Sequence, residues 1–153
     1  MSIAHTQKPI TLIGSSFGGL TAAWLAQNHP QVKRLILLAP AFNFLSHWLP
    51  KLGEGQVKQW QESGYIAVEH YGEGRSLPLH YSFISDAQQY DDNQLQRPIP
   101  TLILHGIDDE IIPIESSRNY LKERPWVTLV ELNSDHALTH VLPDIWQQIQ
   151  HFM

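Results

Sequence analysis

The sequence predicts an α/β protein with a mostly parallel sheet enclosed between helices in a three-layer αβα arrangement. Short apolar runs alternate with helical patterns along the chain, and this alternation is typical of βαβ units. The apolar runs are continuous, as expected of strands that are covered on both faces in a parallel sheet. The chain has 153 residues, of which 42% are hydrophobic and 16% are charged, and this suits one domain with a buried core.

The first part of the predicted fold is a strand, a helix and a second strand. Residues 10–14 form a short run of β-favouring residues that ends at a glycine, which predicts a buried strand. Residues 17–28 place apolar side chains at helical spacing, and the segment 28–30, Asn-His-Pro, ends this helix. Residues 34–39 contain a second continuous apolar run. This order predicts a right-handed βαβ unit.

The character of the chain changes in residues 41–97, where aromatic residues are scattered among glycine, glutamine and glutamate. We expect a short helix at 54–62, a strand at 64–69, a turn at 72–74 and a helical segment at 81–90. The segment is too short to be a domain of its own. We therefore expect a small cap-like insertion, packed over the sheet, within a single domain of residues 1–153.

After the insertion the alternation of strands and helices resumes. The predicted elements are a strand at 100–106, a helix at 114–123, a strand at 127–132 and a last helix at 137–152. Pro125 ends the first of these helices, and Pro143 marks either the first turn of the second helix or a kink in it.

Composition excludes several classes of function. The formal net charge is -5 and no run of lysine or arginine occurs, so nucleic-acid binding has no electrostatic basis. The chain has no cysteine, which excludes disulfides, thiolate metal sites and cysteine nucleophiles. The N-terminal residues lack the apolar core of a signal peptide, and no apolar run is long enough to span a bilayer. We expect a soluble cytoplasmic protein with no membrane partner.

Gly14-X-Ser16-X-Gly18 lies between a predicted strand and a predicted helix, and this context favours a nucleophilic serine on a sharp, strained turn. Glycine at positions 14 and 18 is expected to remove side chains that would collide where strand and helix approach closely. The N–H of Phe17, at the start of the helix, is one expected donor to an oxyanion. The alternative is a glycine-rich turn with incidental serines. Ser15 is the weaker nucleophile candidate, because the glycine spacing centres on Ser16.

A serine hydroxyl needs a base and an orienting acid to become nucleophilic at neutral pH. His136 follows the last predicted strand and is the best base; the alternative is a solvent-exposed histidine at a helix N-terminus. Asp109 leads among the acids and Asp108 is second; their alternative is a helix-capping turn. His140 lies one turn after His136, but no third ligand is evident, so we predict no metal site.

These motifs together resemble those of the α/β-hydrolases. Residues 14–19, which include Gly19, resemble the nucleophile elbow of that superfamily. Residues 105–113 resemble its acid loop, where the acid follows His-Gly after two variable residues, and this pattern selects Asp109. Asp135-His136 resembles its histidine loop. The chain is most similar to the YqiA/YcfP-like small bacterial esterases. The resemblance implies hydrolysis of small-molecule acyl esters, or thioesters, by Ser16, His136 and Asp109 without a cofactor.

One departure from the superfamily concerns the N-terminal side of the elbow. Only 13 residues precede Gly14, so we expect a truncated fold that lacks the first strands of the usual sheet. Two hypotheses follow. The oxyanion hole lacks its second donor, and residues 10–14 form an exposed apolar edge that is covered either by a second copy in a homodimer or by a partner segment.

The leading interpretation is a serine hydrolase whose aromatic insertion lines an acyl pocket. The runner-up is a catalytically impaired, truncated hydrolase that keeps the three site residues and acts as a binding or interaction module. A third interpretation, another reaction on this fold such as that of a cofactor-free haloperoxidase, rests on analogy of fold alone.

Overall fold

The chain forms two compact units. The larger one is built around a parallel sheet, and the smaller one is inserted into its sequence. A computed structural model describes residues 6–70 and 73–153. One compact unit comprises Met1–Phe42 and Leu95–Met153, and the other comprises Asn43–Gln94. The second unit lies within the predicted insertion, residues 41–97, and its role as a cap stays a prediction.

The described residues contain six strands and six α-helices. The strands are β1 (Ile10–Ser15), β2 (Val32–Leu38), β3 (Tyr65–His70), β4 (Arg75–His80), β5 (Thr101–Gly106) and β6 (Val127–Leu132). The helices are α1 (Phe17–Asn28), α2 (Phe44–Leu52), α3 (Glu54–Ser63), α4 (Ser82–Ala87), α5 (Ile114–Leu121) and α6 (Leu142–Phe152).

Four strands form the parallel sheet, in the order β1-β2-β5-β6. On one face, a core of residues from α1, α5 and the strands includes Ala26, Leu37 and Tyr120. On the other face, Ile145 of α6 packs with Ile36 and Leu104. Each sheet face is therefore covered by helices, and the predicted three-layer αβα class is confirmed. Because all four strands run the same way, their carboxyl ends meet at one edge, where ligand sites of such folds lie.

Arg97 fixes the end of the helix that follows the first strand. Its guanidinium donates to the carbonyls of Ala26, His29, Pro30 and Val32 at 2.6–3.0 Å. The last carbonyls of a helix have no partner within the helix, and a cation is favourable at that end of the helix dipole. This contact anchors α1, whose other end carries the glycine motif, to the start of β2.

The smaller unit has an aromatic core of its own. β3 and β4 pair as an antiparallel hairpin. Trp60 is 1% exposed, and its indole N–H donates to the carbonyl of Leu79 at 2.9 Å. Its ring meets Trp48 and Tyr81 edge-on, with centroids 5.6 and 5.5 Å away. Trp60 is therefore a core residue of this unit, whereas the prediction for the aromatic residues of the insertion is that they line an acyl pocket.

Three elements differ from the sequence-based predictions. α2 was not predicted, because Pro50 lies inside it and Asn43, in a left-handed conformation, precedes it without a side-chain cap. β4 was not predicted, because it contains Pro78, and proline is disfavoured within strands except at sheet edges. Within the described residues β4 pairs with β3. The last helix begins at Leu142 and not at residue 137, because Leu138 has a φ of 58° and a 3₁₀ turn follows it. Pro143 accordingly lies in the first turn.

The turn predicted at 72–74 lies partly outside the described residues. Among the helices of the described ranges, none has both the length and the apolar character needed to cross a membrane.

Candidate active site

Ser16 lies on a strained turn between β1 and α1. Its φ of 54° and ψ of -121° are unusual for a residue with a side chain, and such a conformation costs about 1–3 kcal/mol. The end of β2 holds it in place. The Ser16 N–H donates to the carbonyl of Leu38 at 2.8 Å, and the Ser16 carbonyl accepts from the N–H groups of Gly19 and Ala41, each at 3.0 Å. The turn lifts the Ser16 hydroxyl above the carboxyl edge of the sheet.

Two glycines allow this turn to form. A Cβ on Gly14 would collide with the backbone carbonyl of Gly18, and a Cβ on Gly19 would lie 3.1 Å from the Cβ of Pro40. A Cβ on Gly18 would meet nothing within 4 Å. The steric reason predicted for Gly18 is therefore wrong: the close approach is relieved at Gly14, and the second tight position is Gly19.

Asp109 lies in the loop between β5 and α5, and its carboxylate has four hydrogen bonds. Oδ1 accepts from the backbone N–H groups of Ile111 and Ile112 at 2.9 and 2.8 Å. Oδ2 accepts from His136 Nδ1 at 2.7 Å and from His105 Nε2 at 3.2 Å. The side chain of Asp109 is fully buried. A buried charge of this kind is tolerated only when its acceptor sites are filled.

His136, in the loop after β6, connects this carboxylate to the serine. Its Nε2 lies 3.1 Å from Ser16 Oγ. Because an ionised carboxylate has no proton to donate, His136 Nδ1 carries the proton in the bond to Asp109, and Nε2 of the neutral ring accepts from the Ser16 hydroxyl. Gly106 allows the two loops to approach, since a Cβ there would collide with the backbone carbonyl of Ser134.

The environment of Asp109 determines its ionisation. Burial alone raises the pKa of this carboxyl group, but hydrogen bonds from His105, His136 and the Ile112 N–H outweigh it, and the charge of protonated His136 adds to their effect. The net result is a pKa well below the usual range, so Asp109 is ionised at neutral pH.

The second-choice residues do not take part in the hydrogen bonds that join Ser16, His136 and Asp109. Ser15 is exposed at the end of β1, and Asp108 is an exposed residue whose N–H donates to the carbonyl of Ser134. His140 is exposed in the 3₁₀ turn. Within residues 6–70 and 73–153, no three His, Asp or Glu side chains cluster as metal ligands would. The three first-choice residues, Ser16, Asp109 and His136, thus share one hydrogen-bonded chain.

Comparison with known proteins relates this fold to hydrolases. The model of the family described as "Uncharacterised protein family (UPF0227)" matches residues 2–153. The pyrethroid hydrolase of Sphingobium wenxiniae is 28% identical over 93% of this chain. The solved structure of alpha/beta hydrolase domain-containing protein 10 from mouse matches 96% of the chain with a TM-score of 0.76 and 27% identity. A putative hydrolase from Agrobacterium vitis matches 93% with a TM-score of 0.76 and 25% identity.

The chain is shorter than these proteins. It spans 62% of the pyrethroid hydrolase. It spans 61% of the mouse protein and 60% of the Agrobacterium vitis protein. The similarity shows the α/β-hydrolase fold.

Substitution by alanine should separate the roles of the glycines at 14 and 18. Gly14→Ala should lower the free energy of unfolding by about 1–3 kcal/mol, because its Cβ collides with backbone that has to move. Gly18→Ala, the matched control, should stay within about 1 kcal/mol of wild type, since its Cβ has open space and alanine favours a helix. Urea unfolding measures both values, and equal losses would contradict the assigned collision.

The low pKa of Asp109 predicts how stability depends on pH. A carboxyl group whose folded pKa lies below its unfolded value, about 3.9, stabilises the fold fully above that value, and the contribution is lost as the pH falls towards the folded pKa. Asp109→Asn removes this contribution. The difference in unfolding free energy between wild type and Asp109→Asn should shrink as the pH falls below about 4. Urea unfolding at several pH values measures it, and a gap that widens in acid would refute the assignment.

Proposed function

The chain belongs to the uncharacterised protein family UPF0227, and we propose that it is a serine hydrolase that cleaves small carboxylic esters or thioesters through an acyl-enzyme. The observation that carries this proposal is the hydrogen-bonded chain from the Ser16 hydroxyl through His136 to the buried carboxylate of Asp109. A nucleophile, a base and an orienting acid in this order are what acyl transfer by a serine requires.

Ser16 is the proposed nucleophile. Its Oγ attacks the carbonyl carbon of the substrate while His136 Nε2, 3.1 Å away, takes the hydroxyl proton. The protonated imidazole then gives this proton to the departing alcohol or thiol, and the acyl group stays on Ser16. A water molecule, deprotonated by the same ring, attacks the acyl-enzyme, releases the carboxylic acid and restores the serine.

Asp109 is the proposed orienting acid. Its Oδ2 holds the proton of His136 on Nδ1, so that Nε2 is kept as the base facing Ser16. Its negative charge also stabilises the imidazolium that forms during each transfer. The four hydrogen bonds to the carboxylate keep it ionised and prevent it from rotating away.

The N–H of Phe17 is the proposed oxyanion donor. It directly follows Ser16 and begins α1, where the dipole of the helix favours negative charge. The sequence similarity to the pyrethroid hydrolase, and the structural similarity to proteins named as hydrolases, support hydrolysis as the reaction class.

An active-site probe tests the nucleophile. A fluorophosphonate should label the wild-type protein and not Ser16→Ala, because the phosphonyl group is captured by the nucleophilic oxygen. In His136→Ala the labelling rate should fall by on the order of 10²–10⁴-fold, since the base is removed. Gel fluorescence and mass spectrometry of the labelled peptide give both results.

Ser15→Ala is the matched control for this experiment, since it removes a neighbouring hydroxyl outside the proposed chain. It should be labelled like wild type. If Ser16→Ala is labelled as fast as wild type, the nucleophile is misassigned. If a folded wild-type protein is neither labelled nor active on aryl esters, the chain acts instead as a binding or interaction module.

We also propose that the chain associates as a homodimer through β1. This strand lies at the edge of the described sheet, and none of its residues is charged. Ile13 on it is 60% exposed. An uncharged edge strand with an exposed apolar side chain is a template for pairing with another strand.

Light scattering after size-exclusion chromatography should therefore give a dimer mass for wild type. Ile13→Lys should give a monomer, because a charge beside the edge opposes pairing. Leu25→Lys, which changes an exposed leucine on α1, is the control and should remain a dimer. A monomeric wild type at high concentration argues against association through this edge.

A further inference from the structure

His105 lies deeper in the molecule than the proposed catalytic residues and contacts one of them. It is the fifth residue of β5, and its side chain is fully buried. A buried imidazole is costly unless its ring nitrogens are hydrogen-bonded. Both are: Nε2 lies 3.2 Å from Asp109 Oδ2 and 2.9 Å from the carbonyl of Ile112, and Nδ1 lies 2.8 Å from Ser117 Oγ.

The partners of His105 determine which nitrogen carries the proton. The Asp109 carboxylate and the Ile112 carbonyl only accept hydrogen bonds, so Nε2 must be the donor to both. Nδ1 of the neutral ring then accepts from the hydroxyl of Ser117. The serine thereby fixes the orientation of the ring, while the acceptors at Nε2 set the tautomer that donates to Asp109.

These contacts connect the acid loop to the strand before it and to the helix after it. His105 stands at its start, on β5; Asp109 and Ile112 lie within it; and Ser117 lies on α5, which follows it. One rigid ring therefore links the strand, the loop and the helix. The Asp109 carboxylate cannot turn away from His136 without breaking the bond to His105.

We propose that His105, held by Ser117, is a positioning residue that directs Asp109 Oδ2 towards His136 and moderates the negative charge that His136 experiences. The inference rests on the proposed function for its effect on turnover. Its effect on His136 itself does not depend on any reaction, because the hydrogen-bonded chain from Ser117 to Ser16 is made entirely of the protein's own side chains.

Two further carboxylates lie beside this chain, and Glu131 also interacts electrostatically with His105. Glu131 lies opposite His105 on β6, and Arg118 binds it at 2.6 Å while also pairing with Glu115. Asp135 is exposed beside His136 and accepts from the N–H of Ala137 at 3.0 Å. Asp109 is therefore the carboxylate that contacts both imidazoles, and a change at His105 reaches His136 through it.

Two substitutions of His105 separate hydrogen bonding from packing. His105→Gln keeps an N–H donor close to the position of Nε2, whereas His105→Leu keeps volume and loses the donor. Without the donor, Asp109 holds more of its charge and becomes a stronger acceptor, so His136 should bind its proton more tightly. We expect the titration midpoint of His136 to rise by on the order of 0.5–1 pH unit in His105→Leu and by much less in His105→Gln.

Proton NMR follows this midpoint. The signal of His136, one of nine histidines, is assigned by its absence in His136→Gln. With p-nitrophenyl acetate as substrate, His105→Leu should lower kcat by about 10²-fold, as expected when a catalytic group is misplaced, with KM nearly unchanged. His105→Gln should recover most of this loss. Circular dichroism confirms that each variant is folded.

Ser117→Ala is a milder second variant, because it removes only the contact that orients the His105 ring. Its His136 midpoint should move in the same direction as in His105→Leu. Unchanged midpoints in the folded variants would overturn the proposal, as would equal effects of glutamine and leucine at position 105. A wild type without ester turnover would refute the proposed hydrolase, while a raised midpoint in His105→Leu would still support the positioning role.

Discussion

The buried carboxylate of Asp109 is the constraint on which the rest of the site depends. A charge without access to water is tolerated only if its acceptor sites are filled, and here the backbone fills one oxygen and two imidazoles fill the other. Satisfying this charge requires the loop after β5 to fold back over its own backbone and the loop after β6 to bring His136 within reach. The same contacts that stabilise the ion therefore orient His136, the proposed base.

The strained turn at Ser16 depends on a different set of contacts. Its left-handed φ is unfavourable in isolation, so the neighbouring chain has to hold it. The backbone of Leu38 and Ala41 does so through two hydrogen bonds, and Gly14 leaves room for the helix to begin directly behind the strand. Both supports are backbone features, so the side chain of Ser16 remains available to His136.

The sequence was most informative where chemistry depends on local spacing. The strand–glycine–serine–helix pattern predicted Ser16, and the chain order of serine, acid and histidine predicted His136, because parallel strands bring their carboxyl ends to one edge. Only the resemblance to the acid loop of the α/β-hydrolases selected Asp109 over Asp108. The role of His105 could not be predicted, since its ring is oriented by Ser117, twelve residues further along, and nothing in the sequence shows which way a buried side chain points. The prediction for Gly18 was wrong for a similar reason. Its spacing suggested that a side chain there would collide with the strand, but in the structure the collision would occur at Gly14.

The end of β2 and the residues that follow it contact both the turn at Ser16 and β5, yet they include none of the proposed catalytic residues. At the end of β2, the Leu38 carbonyl holds the N–H of Ser16, and the next residue, Ala39, donates to the carbonyl of Leu104 on β5 at 2.9 Å. Pro40 packs against Gly19 at the start of α1. Ser16, the proposed nucleophile, and β5, the strand that leads to Asp109, are thus both hydrogen-bonded to the same short stretch of backbone. The proposed proton transfer needs Ser16 and His136 within about 3 Å of each other, so the position of the backbone after β2 bears on it although that stretch contributes no proposed catalytic residue.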